Sequence, residues 1–94
     1  MKVRITLQAA GHLNAVHEYL HAISPRVALA QMKLIFRAID RLKQFPQAGH
    51  VGRLEGAREM TVPRTPFLVV YSLRGEQINI LAILHGSQQW PRQS

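Results

Sequence analysis

Two runs of apolar residues at helical spacing, separated by a single Ser-Pro step, constrain this chain more than any other feature. Ala9, Leu13, Val16, Leu20 and Ile23 make one stripe of an amphipathic helix over residues 9–23. Ser24-Pro25 ends that helix and starts another. Ser24 suits the cap of the new N-terminus and Pro25 its first helical position. From Ala28 the pattern resumes through Met32, Ile35, Ile39 and Leu42, ending near Phe45-Pro46. Two helices joined by so short a turn must lie antiparallel, as a helical hairpin. Leu29, Leu34 and Phe36 lie off the second seam. They read either as a wider contact with a sheet or as an exposed apolar groove for a partner's helix.

On both sides of the hairpin the period changes to that of strands. Lys2–Leu7 alternates, with Val3, Ile5 and Leu7 on one side. Gly49, Gly52 and Gly56 mark Pro46–Gly56 as a loop. Ala57–Val62, Phe67–Leu73 and Ile78–His85 are three further strands, the last two joined as a hairpin through Arg74-Gly75-Glu76. Phe67–Leu73 is nearly all apolar, so it is the central strand, with Val69 and Val70 on opposite faces. The order β-α-α-β-β-β predicts an α+β fold. The antiparallel helical hairpin packs on one face of a small, mainly antiparallel sheet. The expected organisation is one domain over residues 1–94.

Twelve Lys and Arg against five Asp and Glu give a net charge of +7. That surplus favours an anionic partner. All three lysines precede residue 46, and the second half is positive through Arg53, Arg58, Arg64, Arg74 and Arg92 alone. Arginine suits bidentate phosphate or carboxylate contacts. There is no cysteine, which removes disulfides, thiolate catalysis and cysteine metal sites. The N-terminus has no signal-peptide pattern and no window suits a membrane span, so a cytoplasmic location is expected.

Several segments in this order resemble the RelE/ParE superfamily of toxins from type II toxin–antitoxin pairs. They are Leu42-Lys43-Gln44-Phe45-Pro46, Gly56-Ala57-Arg58-Glu59-Met60 and Pro66-Phe67-Leu68-Val69-Val70-Tyr71. Ile80-Leu81-Ala82-Ile83-Leu84-His85 and Gln89-Trp90-Pro91 complete the set. The resemblance implies a growth-inhibiting toxin held inactive by an antitoxin with an acidic amphipathic tail, in the setting of plasmid stabilisation. RelE-like members cut messenger RNA on the ribosome; ParE-like members poison DNA gyrase. RelE-like ribonucleases place an arginine three residues before the central-strand tyrosine, where this chain has Leu68. They also place ionisable groups beyond the last strand, where this chain has Gly86-Ser87-Gln88-Gln89 and no charge before Arg92. The chain is therefore similar to the ParE branch, a gyrase inhibitor rather than an enzyme. The alternatives are a ribosome-dependent mRNA endonuclease and an inactive relic that only binds its antitoxin and represses its operon.

If RNA is cut, the candidate groups are Arg58, Arg64 and His85, because phosphoryl transfer needs cations and an acid–base pair around one phosphate. Arg58 shares strand parity with Met60 and Val62. It could hold a phosphate, pair with an edge carboxylate or grip an antitoxin acid. His85 shares parity with Leu81 and Ile83, and reads either as an acid–base or as a hydrogen-bonded residue at the core's edge. Candidates for target or antitoxin binding are Leu29, Phe36, Arg53, Arg58, Arg64 and Trp90. Trp90 also reads as an anchor for the C-terminus, and Tyr71 as core. His17 and His21 lack a third ligand, so they read as a solvated helix face. No metal and no cofactor is expected.

Overall fold

The computed structural model describes residues 1–91. In chain order the elements are β1 (Lys2–Ile5), α1 (Leu7–Ile23), α2 (Pro25–Arg41), β2 (His50–Val51), β3 (Arg58–Thr61), β4 (Phe67–Arg74) and β5 (Gln77–His85). The strands form one sheet in the order β1-β5-β4-β3-β2. β1 runs parallel to β5, and the other neighbours are antiparallel. The helical hairpin lies on one face, so the α+β architecture is the expected one. His50–Val51, within the predicted loop, is a short extra edge strand paired with Arg58 and Glu59.

The joint between the helices follows the capping chemistry. The Ser24 N–H donates to the Leu20 carbonyl at 2.8 Å, closing α1. Its hydroxyl accepts from the Val27 N–H at 3.3 Å, opening α2, with Pro25 in the first turn. The first strand stops earlier than its alternation predicts. The Thr6 hydroxyl accepts from the Ala9 N–H at 3.2 Å and donates to the Ile80 carbonyl at 2.8 Å. Thr6 thereby caps α1, and Leu7 becomes a helical residue 93% exposed instead of a strand residue. Ile23, the last of the α1 stripe, is also exposed.

The sheet is covered on both faces. On the helix side Leu13, Leu20, Ile35, Ile39 and Leu42 pack with Val62, Val69, Tyr71, Ile78 and Ile80. On the far side Ala57, Leu68, Val70, Ala82 and Leu84 pack together, with Leu54, Leu81 and Trp90 against them. Val69 and Val70 have no exposed surface, which makes β4 the central strand. Arg74 pairs with Gln77 across a two-residue turn in which Gly75 takes φ +60°.

One irregularity lies in β5. Val70 pairs with Ala82 but Tyr71 pairs with Ile80, leaving Leu81 as an extra residue. Ile80 and Ile83 thus face the helices, while Leu81 packs with the far cluster. The sequence parity that grouped His85 with both Leu81 and Ile83 breaks at this bulge. Two α1 side chains take up backbone groups beside it. Gln8 Nε2 donates to the Leu81 carbonyl at 3.0 Å, and the Ile83 N–H donates to His12 Nδ1 at 3.2 Å.

Candidate functional site: a cationic groove beside the second helix

The off-seam face of α2 builds the wall of a groove. Leu34 and Ala38 are four residues apart, so they stand on one face. Phe45, Pro46 and Met60 extend the same apolar surface, and Arg37, Arg41 and Arg64 also line the groove. Its volume is about 710 Å³. Arg37 and Arg41 are likewise four apart on α2, and the Arg41 guanidinium lies 6.0 Å from the Phe45 ring centroid. Arg64 sits in the β3–β4 turn with φ +67°, a left-handed conformation unusual for a side chain this large. Thr65 fixes that turn: its hydroxyl donates to the Val62 carbonyl at 2.9 Å and accepts from the Phe67 N–H at 3.1 Å. Among the described residues the ion pairs are Lys43–Asp40 and Arg53–Glu59, so the three groove arginines are outside them. An apolar surface with guanidinium groups beside it suits an amphipathic anionic segment.

Of the candidate binding and catalytic residues, only Arg64 lines this groove, together with Leu34 from the off-seam set of the second helix. Arg58 instead clasps the loop before β2. Its guanidinium donates to the Gly49 carbonyl at 2.6 and 3.0 Å and to the Gln47 carbonyl at 3.2 Å. Tyr71 secures the same loop from within the core. Its hydroxyl donates to the Pro46 carbonyl at 2.8 Å and accepts from the Gly49 N–H at 2.9 Å. The packing is so close that a Cβ on Gly49 would stand 2.9 Å from the Tyr71 ring and hydroxyl.

Arg53 forms a two-pronged pair with Glu59. Nε and Nη2 donate to the two carboxylate oxygens at 2.9 and 3.0 Å, and the Arg53 N–H adds a third bond at 2.9 Å. Burial works against the charge of Glu59, but these hydrogen bonds and the Arg53 charge outweigh it, holding the carboxyl below its ordinary pKa. Arg53 also donates to the Gln88 carbonyl at 3.1 Å, tying the C-terminal segment to the loop before β3. Trp90 packs on the far cluster, as an anchor would.

The nuclease candidates do not converge. Arg58 pairs with Tyr71, whereas His85 pairs with Phe67, four residues away along β4. At about 3.3 Å per residue that is about 13 Å, too far to share one phosphate. His85 Nδ1 lies 2.8 Å from the Ser87 hydroxyl, and its ring meets Phe67 edge-on with centroids 6.0 Å apart. Leu68, at the position where RelE-like ribonucleases carry arginine, is buried in the far cluster. Arg92 lies outside the described residues. The His17 and His21 rings lie 5.5 Å apart on the exposed side of α1.

Leu29 and Phe36 are 60% and 45% exposed, on a second apolar surface shared with Val3 and Met32. The six proposed contact residues therefore occupy separate surfaces. Sequence reasoning overlooked Arg37 and Arg41. Their signal was the repeat of arginine four apart beside Leu34 and Ala38.

The family model of the ParE toxin of type II toxin-antitoxin system, parDE, matches residues 3–90. The chain belongs to the ParE toxin family. A chain of the chromosomal ParDE system from P. aeruginosa superposes with a TM-score of 0.79 at 31% identity, covering 88% of this chain and 92% of that one. The toxin–antitoxin complex RelBE2 from Mycobacterium tuberculosis contains a more distant neighbour, with TM-score 0.56 and 25% identity, covering 89% and 95%. The Sinorhizobium fredii protein named "Putative toxin Y4kP" is 30% identical over 91 residues, 97% of this chain and 94% of its own length. The likeness to both ParE and RelE folds agrees with one scaffold carrying different activities. No described helix is long and apolar enough to cross a membrane.

Proposed function

We propose that this ParE-family toxin acts in the cytoplasm by binding and poisoning DNA gyrase, without cutting RNA, and that an antitoxin with an acidic amphipathic tail holds it inactive. The observation that carries the reading is that the nuclease candidates do not converge: Arg58 and His85 stand about 13 Å apart along β4. Arg58 and Tyr71 are bound to loop backbone, Arg53 to Glu59, and Leu68 is apolar core. Arg37, Arg41 and Arg64 line an apolar groove with no acid–base partner among its lining residues, an arrangement for holding a partner rather than for proton transfer. The neighbours solved as toxin–antitoxin systems support the antitoxin partner.

The test is a paired assay of the purified chain. Expected are inhibition of supercoiling by gyrase with trapped cleaved DNA, and intact messenger RNA on programmed ribosomes. Each electrostatic stabiliser of a phosphoryl transition state is worth about 10²–10³ in rate, so loss of two leaves cleavage near background. Cleavage of RNA in the ribosomal A site, abolished by Arg58→Ala or His85→Ala, would establish the endonuclease instead. Activity on neither target, with antitoxin binding retained, would establish the relic.

A further inference from the structure

Helix α1 carries a motif with no part in the groove beside α2. His17-Glu18-Tyr19-Leu20-His21 has the order His-Glu-x-x-His, the helical spacing at which two imidazoles hold one zinc ion while the glutamate attends to its bound water. Burial of Leu13 and Leu20 against the core fixes the rotation of α1, and His17, Glu18 and His21 are exposed on its outer side. The two imidazole rings have centroids 5.5 Å apart and planes inclined by 40°. With a Zn–N bond of about 2.1 Å a ring centre stands about 3.2 Å from the metal, so two rings at the tetrahedral angle have centres about 5.2 Å apart. The observed pair is close to that spacing. His12 and His85, by contrast, already commit Nδ1 to Ile83 and Ser87. The charge distribution agrees. None of the chain's lysines and arginines lies in α1, and the nearest in sequence are Arg4 and Arg26. The one carboxylate of α1 is Glu18. A dication therefore meets less repulsion here than along α2, with Arg26, Lys33, Arg37 and Arg41. His21 also lies in the last turn, where the helix dipole favours a cation.

We propose that His17 and His21 bind a zinc ion, with Glu18 accepting a hydrogen bond from a metal-bound water. Imidazole suits zinc and its borderline neighbours, whereas magnesium and calcium take oxygen ligands. No group of three or more His, Cys, Asp and Glu comes together among the described residues. The chain therefore supplies two ligands and water fills the remaining positions, which makes the site an exchangeable one rather than a closed structural centre. One protein ligand short of a zinc hydrolase and on an open helix face, it binds the ion without hydrolytic chemistry. The bound ion ties together side chains one helical turn apart and so steadies the last turns of α1. The site is independent of what the toxin acts on.

Zinc chloride titrated into the full chain without a polyhistidine tag, followed by calorimetry and by NMR of the imidazole rings, tests the site. Expected is one zinc per chain, with the ring signals of His17 and His21 shifting together and before those of His12, His50 and His85. His17→Ala and His21→Ala should each weaken binding about tenfold or more, because the second imidazole no longer binds within the same molecule. Glu18→Gln keeps the size of the side chain and removes its charge. It should weaken binding about tenfold while both rings still shift, as loss of an outer carboxylate does. All three positions are exposed, so the variants should keep the circular dichroism of the unaltered chain. Zinc should raise the melting temperature of the unaltered chain and not that of either histidine variant. Magnesium should shift neither ring. Zinc bound first at another histidine, shifts of the two rings at different zinc concentrations, or a His21→Ala chain that binds as tightly as the unaltered one would overturn the proposal. Unchanged affinity in Glu18→Gln would remove Glu18 from the site.

Discussion

Glu59 keeps its charge in the interior because Arg53 reaches it with two parallel hydrogen bonds and a backbone N–H. Removing the guanidinium leaves a buried carboxylate without its partner. Arg53→Ala should therefore cost about 2–4 kcal/mol, read as a lower urea midpoint at pH 7. Arg53→Lys should recover only part, since one ammonium cannot replace the fork. Acid adds a second effect from the same carboxyl. Its folded pKa is below the ordinary 4.5, so the folded state binds fewer protons, and its stabilisation is full above that value and lost as pH falls below it. His12 works in a different window. Burial disfavours its imidazolium, placing its pKa below 6.5, and Nδ1 must stay unprotonated to accept from Ile83. Folding thus favours the neutral ring. This stabilisation is complete above pH 6.5 and lost as pH falls through the lower folded value. Denaturation at pH 7.5 and pH 5.0 should show the drop, and His12→Gln, which keeps an acceptor without a titrating ring, should flatten it. An equal drop in that variant would exclude His12 as the source.

At the scale of elements, what the sequence could announce depended on whether a rule was local. The Ser24-Pro25 joint and the Gly75 turn are set by neighbours a few residues apart and are where the pattern put them; the two stripes hold except at their ends, where Ile23 is exposed and α2 stops at Arg41 rather than near Phe45-Pro46. The end of β1 was not legible, because Leu7 continues the alternation while Thr6 is recruited as a cap by Ala9 and Ile80. The strand His50–Val51 was hidden too: its residues pair only once Arg58, Tyr71 and Glu59 hold the surrounding loop. The Leu81 bulge had no signal within its apolar run, and the side chains that bond the backbone beside it, Gln8 and His12, lie about seventy positions away. Long-range satisfaction of backbone groups decides such details. The central strand tests the local reading most severely. Val70 is fully buried on the face away from the helices, so Val70→Asp strands a carboxylate there and should cost several kcal/mol of a total near 5–10. A soluble Val70→Asp protein with an unchanged melting curve would mean that this face is open.

For the molecule as a whole, the +7 charge pointed to an anionic partner but could not say where the cations gather. Spacing along a strand or helix tells which residues share a face, not which loop carbonyls will consume their donors. Arg58 and Arg64 looked alike in sequence, yet one is spent on Gln47 and Gly49 while the other lines the groove with Arg37 and Arg41. That contrast gives a prediction separating binding from folding. Arg37 and Arg41 are exposed and outside the ion pairs of the described residues, so the double change Arg37→Glu, Arg41→Glu should leave the melting temperature nearly unchanged. It should nevertheless abolish growth arrest if the groove meets the target, because it replaces two cations by two anions beside an apolar surface. Arg58→Ala should do the reverse at first sight: it releases the loop over Tyr71 and lowers the melting temperature, and toxicity falls only as far as folded protein is lost. Measured side by side at equal folded concentration, the groove variant should lack gyrase inhibition and the Arg58 variant should retain it. If the groove variant still arrests growth, the arginines of α2 are not the target contact, and the target-binding surface must lie elsewhere on the fold.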